Sequence, residues 1–206
     1  MTALQTTEVA KRRLSSFTYP EALQYANIAD FQRWRVESEP IPLSDFLRQR
    51  LERLQRFDWT SSKDLLVDAI CEEGLEYANT LKIWKNATLE GEDVLGQVSY
   101  LIAQRKAYID SPTACIITIL DDNFKQATAQ CLVGMRTCQQ TTGLSRGKQT
   151  TVYGAITNGE GWKFYRMEGT GEVSESLLSG IEELPILLGR LQAFFSLCAQ
   201  SLTMDL

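Results

Sequence analysis

Residues 114–135 read ACIITILDDNFKQATAQCLVGM, which predicts a buried strand followed directly by a helix. The apolar run at 115–120 is continuous, as is typical of a strand buried on both faces in the middle of a sheet. It stops at Asp121-Asp122-Asn123, and either Asn123 or Asp122 is expected to cap the following helix. Catalytic or binding residues often lie where a strand leads into a helix, yet residues 116–120 of this strand are only isoleucine, threonine and leucine.

Further helices and strands are predicted on both sides of this segment from apolar periodicity and turn residues. The predicted helices are 20–35, 44–57 with Ser44 as N-cap, 63–78, and 182–203 with Pro185 in its first turn. The predicted strands are 81–84, 97–102 and two hairpin strands, 151–157 and 162–167, around Asn158-Gly159, and 141–150 is expected to be a loop. This order predicts an α/β sandwich around a mixed sheet. Residues 1–60 form a mostly helical extension and 61–206 the main domain.

Composition excludes several classes of function. The chain of 206 residues contains no histidine, which rules out Ser-His and Cys-His catalysis and zinc sites with histidine ligands. Its five cysteines show no CxxC spacing and are expected to be reduced core thiols of a cytoplasmic protein. The first residues lack the apolar core of a signal peptide, and no run is long enough to cross a membrane.

Charge is unevenly distributed along the chain. The net charge is −5, but residues 1–63 carry 10 Lys or Arg against 8 Asp or Glu, a net of +2. Any nucleic-acid surface would draw on this first third, in particular on the arginines of the predicted 44–57 helix. A solvated helix face explains the same charges.

Three stretches resemble the PD-(D/E)XK nuclease superfamily, most closely the nuclease-like domain at the front of type I restriction motor subunits. Residues 96–102 (GQVSYLI) are similar to the family's strand G-R-V-D-Y-L-I. Residues 116–135 resemble its V-V-E-A-K-x-D-D-F strand with the helix after it. Residues 152–168 (VYGAITNGEGWKFYRME) are similar to its hairpin V-Y-G-x-x-T-N-G-x-x-W-x-F. The likeness spans about residues 63–200 and implies a restriction endonuclease-like fold, whereas residues 1–60 are an extension it does not explain.

The resemblance also implies where a magnesium site should lie. In this superfamily, an aspartate on one strand and Glu-x-Lys on the next hold Mg²⁺ and activate water. Here Ser99 takes the place of the aspartate, Thr118 that of the glutamate and Leu120 that of the lysine. A loop one residue shorter moves the last two positions to Ile119 and Asp121. Neither register restores Glu-x-Lys, and a hard cation needs better oxygen ligands than hydroxyls, so we expect no catalytic residues and no bound cofactor.

Two alternatives stay open for polar residues near these positions. Active-site carboxylates migrate within the superfamily, so a displaced Mg²⁺ site could form, although acidic residues at a helix start also serve as caps. Its candidates are Glu72, Glu73, Glu76, Asp93, Asp121 and Asp122. Three glutamines could bind a ligand without cleaving it, or be remnants: Gln97, Gln126 and Gln130.

The leading hypothesis is a catalytically inactive nuclease-fold protein that acts as a binding or regulatory subunit. The acidic chain favours a protein partner, with weak nucleic-acid binding and no membrane. One alternative is a metal-dependent DNA nuclease with a relocated carboxylate site. Another is a nucleic-acid-binding module without cleavage, in which base stacking would fall to Trp34, Trp59, Trp84 or Trp162. By analogy with nucleases of this fold, homodimerisation is a further expectation.

Overall fold

The computed structural model describes residues 10–119, 123–146 and 150–203, with the side chains of 59–61, 145–146 and 203 left aside. The helices are α1 (Tyr19–Tyr25), α2 (Asp45–Leu54), α3 (Trp59–Gly74), α4 (Phe124–Arg146) and α5 (Leu184–Thr203). The strands are β1 (Arg12–Arg13), β2 (Phe31–Arg33), β3 (Leu81–Glu90), β4 (Val94–Gln104), β5 (Pro112–Thr118), β6 (Val152–Thr157), β7 (Gly161–Met167), β8 (Val173–Glu175) and β9 (Ser179–Gly180). Short 3-10 turns, Leu14–Ser16 and Ile181–Glu183, precede α1 and α5.

All of these strands belong to one mixed sheet. Along its main path the order is β1-β4-β5-β6-β7-β8-β2, while β3 pairs with β4 and β9 pairs with β7. The strands β3, β4 and β5 form an antiparallel meander, and β5 then runs parallel to β6. A parallel pair needs a long crossover connection, which α4 supplies. The predicted α/β fold with a mixed sheet flanked by helices is therefore confirmed.

Helices cover both faces of the sheet, and each face has its own core. On the first face, α2, α3 and α5 pack over residues such as Ile116 and Phe164. On the second face, α1 and α4 pack over residues such as Ile117 and Ile156. The strand β5 contributes alternately to the two cores, which explains its uninterrupted apolar sequence.

The N-terminal extension takes part in this same sheet. Strand β1 pairs in parallel with the start of β4, and β2 pairs in parallel with β8 at the end of the main path. Leu14 and Phe17 are buried in the core beneath α4, whereas Leu47 and Leu54 of α2 are buried in the core beneath α3 and α5. Residues 12–54 thus complete both layers of the fold.

Several predicted boundaries need correction. The predicted 20–35 helix is wrong beyond Tyr25, because Asn27 adopts a left-handed φ of 55° and residues 31–33 form β2. Most of the predicted 141–150 loop is also wrong, since α4 continues to Arg146. The strands predicted at 81–84 and 97–102 are longer, reaching 81–90 and 94–104.

Local signals at turns and helix starts are confirmed. Asn123 caps α4, because its side-chain oxygen accepts the Gln126 N–H at 3.1 Å, and Ser44 caps α2 in the same way. The hairpin between β6 and β7 turns at Asn158-Gly159, where the Asn158 side chain accepts two backbone N–H groups and Gly159 has a φ of 92°. The five cysteines are free and buried.

Gly154, the glycine of the VYG motif at residues 152–154, has a packing role. A Cβ on Gly154 of β6 would lie 2.5 Å from the sulfur atoms of both Cys131 and Met135 on α4. Non-bonded carbon and sulfur atoms do not approach each other this closely, so α4 can pack against β6 at this distance only where the strand has no side chain.

The burial of β5 predicts the cost of truncating it. Ile117 is 3% exposed beneath α4, so Ile117→Ala should lower the free energy of unfolding by about 2–5 kcal/mol in denaturant titrations. Ile109 is 38% exposed, and Ile109→Ala is the matched control, expected to change the unfolding free energy by about 0.5 kcal/mol or less. Equal effects of the two substitutions would show that β5 is not a central strand.

Candidate functional site

The positions likened to the nuclease aspartate and glutamate, Ser99 and Thr118, are in direct contact. The Thr118 hydroxyl donates to Ser99 Oγ at 2.9 Å, and the Thr118 backbone N–H donates to the same oxygen at 2.9 Å. Both side chains are half-buried. These two positions are 19 residues apart in the chain and were selected from sequence motifs alone. In the structure they are in contact. Leu120, the third position, lies outside the described residues, as do Asp121 and Asp122.

This contact forms where β4 and β5 separate. Their last backbone pair is Tyr100 with Ile116, and β3 pairs with the other edge of β4 from Leu95 to Gln104, except opposite Ser99. Farther along the open edge, Val94 and Leu95 pair with β1. Ser99 lies in the gap between these two pairings, and its hydroxyl accepts an N–H that no carbonyl of β4 accepts. Since a buried N–H without an acceptor is costly, the serine has a structural reason to be there.

The two-stranded ribbon formed by β3 and β4 exchanges its two faces at Ser99. In a regular strand, residues two apart share a face. However, Val98 belongs to the core beneath α4, whereas Tyr100 belongs to the core beneath α3 and α5. Opposite Ser99 on β3, Asn86 has a φ of 47° and the ladder is interrupted. The reversal brings Ser99 towards Thr118. Thr118 follows Ile116 by two residues on β5 and therefore lies on the same first face of the sheet.

The Ser99–Thr118 pair has little capacity to bind a metal. Each hydroxyl is neutral, and Ser99 Oγ already accepts two hydrogen bonds. Divalent Mg²⁺ requires near-octahedral coordination that normally includes at least one carboxylate. The arrangement can hold the strand ends together, but it offers no charge with which to compensate a cation or activate water.

A second polar cluster beside it was missed by the sequence interpretation. The Tyr100 hydroxyl donates to one oxygen of Asp68 on α3 at 2.9 Å, and Lys85 on β3 donates to the other at 2.7 Å. Burial, followed by the nearby Asp68 charge, raises the pKa of Tyr100, so this hydroxyl stays protonated and remains a donor. The cluster fastens α3 to the ribbon and lines a cavity of about 510 Å³ that also includes Arg105.

Sequence signals for this cluster were present but incomplete. A tyrosine buried in a strand normally needs a partner for its hydroxyl, and Tyr100 follows Ser99 directly. Asp68 lies four residues before Glu72, one helical turn away on the same side of α3. That Asp68 rather than Glu72 meets the ribbon depends on how α3 packs, which periodicity does not specify.

The described candidates for a displaced metal site lie on α3, just after it, and in the turn between β3 and β4. Glu72 forms an ion pair with Arg50 of α2, and Glu76 is exposed farther along the chain after α3. Glu73 accepts hydrogen bonds from Ser44, and Asp93 accepts one from the Tyr25 hydroxyl at 2.9 Å. Within residues 10–119, 123–146 and 150–203, no three carboxylates or thiols are grouped so that they could hold a metal ion.

The three glutamines have different surroundings. The Gln126 amide donates to the backbone oxygens of Phe17 at 3.0 Å and Ser15 at 3.4 Å, which ties α4 to the N-terminal segment. Gln130 is half-buried on the same helix, and Gln97 is exposed on β4. Because α4 covers the second face and Thr118 points to the first, Gln126 and Gln130 do not share a face with Thr118. Their role in ligand binding stays a prediction.

The Asp68–Tyr100 hydrogen bond gives a pH-dependent prediction. Tyr100→Phe should lower the unfolding free energy at pH 7 by about 1–3 kcal/mol, since a bond to a charged acceptor is lost. In wild type, the unfolded chain releases the tyrosine proton near pH 10 while folded Tyr100 retains it, so stability falls as the pH rises above about 10. Tyr100→Phe should make this alkaline fall shallower in denaturant titrations.

Tyr77→Phe is the control for the loss of a hydroxyl at pH 7, because Tyr77 is 69% exposed. It should leave the unfolding free energy at pH 7 unchanged. If Tyr100→Phe behaves like Tyr77→Phe at pH 7 and retains the full alkaline fall, the bond to Asp68 does not stabilise the fold.

Comparisons with known proteins add no family to these observations. No protein-family model matches the sequence, and a search of curated proteins finds no match to it. The likeness to the nuclease superfamily accordingly stays a prediction from the three sequence motifs.

Proposed function

We propose that this chain is a catalytically inactive member of the PD-(D/E)XK nuclease fold that acts as a binding or regulatory subunit through protein contacts. The observation that carries the proposal is the hydrogen bond between Ser99 and Thr118. In the related enzymes these two positions hold the metal-binding carboxylates, and here two neutral hydroxyls bind each other instead.

The order of elements supports the fold part of the proposal. An α-helix, an antiparallel meander of three strands, a crossover helix and a parallel fourth strand follow one another from α3 to β6. This is the order that the family likeness leads one to expect. The three sequence motifs, residues 96–102, 116–135 and 152–168, lie on β4, on β5 with α4, and on the β6–β7 hairpin.

Charge pairing favours a protein partner over nucleic acid. Some basic residues of the first third are paired with carboxylates, Arg12 with Glu21, Arg50 with Glu72 and Lys11 with Glu90, whereas among the described residues Arg33 and Arg35 are not. Paired cations lose much of their value for phosphate binding, which depends on releasing counterions from the nucleic acid. The remaining chain is acidic and repels a polyanion.

The aromatic residues give little support to base stacking. Trp162 is fully buried, and Trp34 and Trp84 are half-buried and pack against the two cores. The side chain of Trp59 lies outside the described part of the structure. A stacking platform needs a ring face open to solvent. Five free buried thiols fit the proposed cytoplasmic location. No helix in the described ranges has the length and apolar character to cross a bilayer.

Metal binding tests the proposal. Purified protein should bind neither Mg²⁺ nor Mn²⁺ at millimolar concentration in calorimetric titrations, and it should leave single- and double-stranded DNA intact. Metal-dependent cleavage that disappears in Asp122→Ala or Glu76→Ala would contradict the proposal and support a displaced carboxylate site.

Restoring the family's residues gives a complementary test. The triple change Ser99→Asp, Thr118→Glu and Leu120→Lys should create Mg²⁺ binding, because two carboxylates would then meet at the end of β5. A matched control adds the same charges at exposed positions, through Gln49→Asp, Thr88→Glu and Gln55→Lys. If the folded triple variant binds Mg²⁺ no better than this control, the correspondence between the two sites is wrong.

A further inference from the structure

A cavity of about 370 Å³ opens at the other end of the sheet, far along the strand order from Ser99. It lies between the chain that continues from β2 and the loop that joins β8 to β9. Strands β8 and β9 both pair with the same edge of β7. Between them Ser176 still hydrogen-bonds to the Phe164 backbone, and the exposed residues 177–178 form a bulge. Arg190 of α5 also lines this cavity and donates to Ser179. Its volume lies within the range of about 300–1,000 Å³ that is common for binding pockets.

Positive charge is concentrated around this cavity. Arg33, Arg35 and Arg190 all line it. Within the part of the chain that the structure describes, no carboxylate lies within 4.0 Å of these three guanidinium groups, in contrast to Arg12 and Arg50. Three unpaired arginines on an acidic protein form a local site of attraction for an anionic ligand.

Apolar side chains adjoin the arginines. Trp34 and Leu177 line the cavity. Leu177 is 66% exposed. An apolar side chain exposed at this level next to unpaired cations favours a ligand with both acidic and aliphatic groups over a simple inorganic anion.

The backbone beside the cavity is free to pair. Among the described strands, β2 pairs with β8 alone and forms the end of the main path. The Trp34 N–H bonds to the Glu175 carbonyl of β8 at 2.8 Å. Because backbone groups alternate along a strand, those of Arg33 point away from β8 towards the open edge. An extended peptide can add to such an edge, with its side chains reaching the neighbouring pocket.

We propose that this surface, formed by Arg33, Arg35, Arg190, Trp34 and Leu177, binds an acidic extended segment of a partner protein. Glutamate or aspartate side chains of the segment pair with the arginines, and an aliphatic side chain packs against Trp34 and Leu177. The inference rests on the proposed function for the view that the partner is a protein. Nucleic acid fits less well, since three arginines are few for a phosphate-tracking groove and Trp34 is half-buried.

The test uses the full chain and a blocked seven-residue peptide in which glutamates alternate with leucines, with binding measured by fluorescence anisotropy at physiological salt. Wild type should bind the peptide, and the double variant Arg33→Ala and Arg35→Ala should bind it about tenfold or more weakly. The matched control is Arg48→Ala with Arg53→Ala, which removes two exposed arginines from α2 and should bind like wild type. Leu177→Ser tests the apolar contact without changing charge and should also weaken binding.

Each other outcome overturns the inference in a distinct way. Absence of peptide binding, or equal loss in the α2 control, shows that the cavity is not a specific site. Equal binding of a single-stranded oligonucleotide of the same charge identifies a general anion surface. If wild type self-associates in sedimentation experiments and the double variant does not, the surface binds a second copy of this chain instead. The Ser99 site is unchanged in these variants, so magnesium titration of the same samples reports separately on the proposed function.

Discussion

Strands β4 and β5 part after the pair formed by Tyr100 and Ile116, and the backbone groups beyond that point need other partners. The Ser99 hydroxyl meets this need by accepting the Thr118 N–H, and it accepts the Thr118 hydroxyl as well. In the function that we propose, this gap corresponds to the place where the nucleases hold a metal ion. In this chain two neutral side chains bridge it.

Burial of β5 on both faces fixes the surroundings of this gap. One face carries α3, which Asp68 anchors to Tyr100 and Lys85, and the other face carries α4 at a distance that requires Gly154. Within residues 10–60, the N-terminal extension adds strands at two separate places on the sheet and leaves the gap itself unpaired. Its second strand instead borders the arginine-lined cavity, where we propose that a partner binds.

The parts of the fold that sequence could predict are those governed by local chemistry. The continuous apolar run of β5, the Asn158-Gly159 turn and the caps Ser44 and Asn123 each depend on a few neighbouring residues. Strands β1, β2, β8 and β9 are two or three residues long, and their partners are far away in the chain, so no periodicity indicates them. In the candidate site, similarity of sequence motifs identified Ser99 and Thr118. The positions of Asp68 and of the cluster of Arg33, Arg35 and Arg190 depend on packing between elements that are distant in the chain.

A double-mutant cycle of Ser99→Ala and Thr118→Val, measured by denaturant unfolding, tests most directly whether the two hydroxyls bind each other. The single changes and the double change together isolate the energy of the contact from other effects of each substitution. A coupling of about 0.5–1.5 kcal/mol is expected for a half-buried hydrogen bond between neutral groups. Strictly additive effects would show that the side chains do not interact, and the interpretation of this strand end as a bridged, metal-free nuclease site would then be wrong.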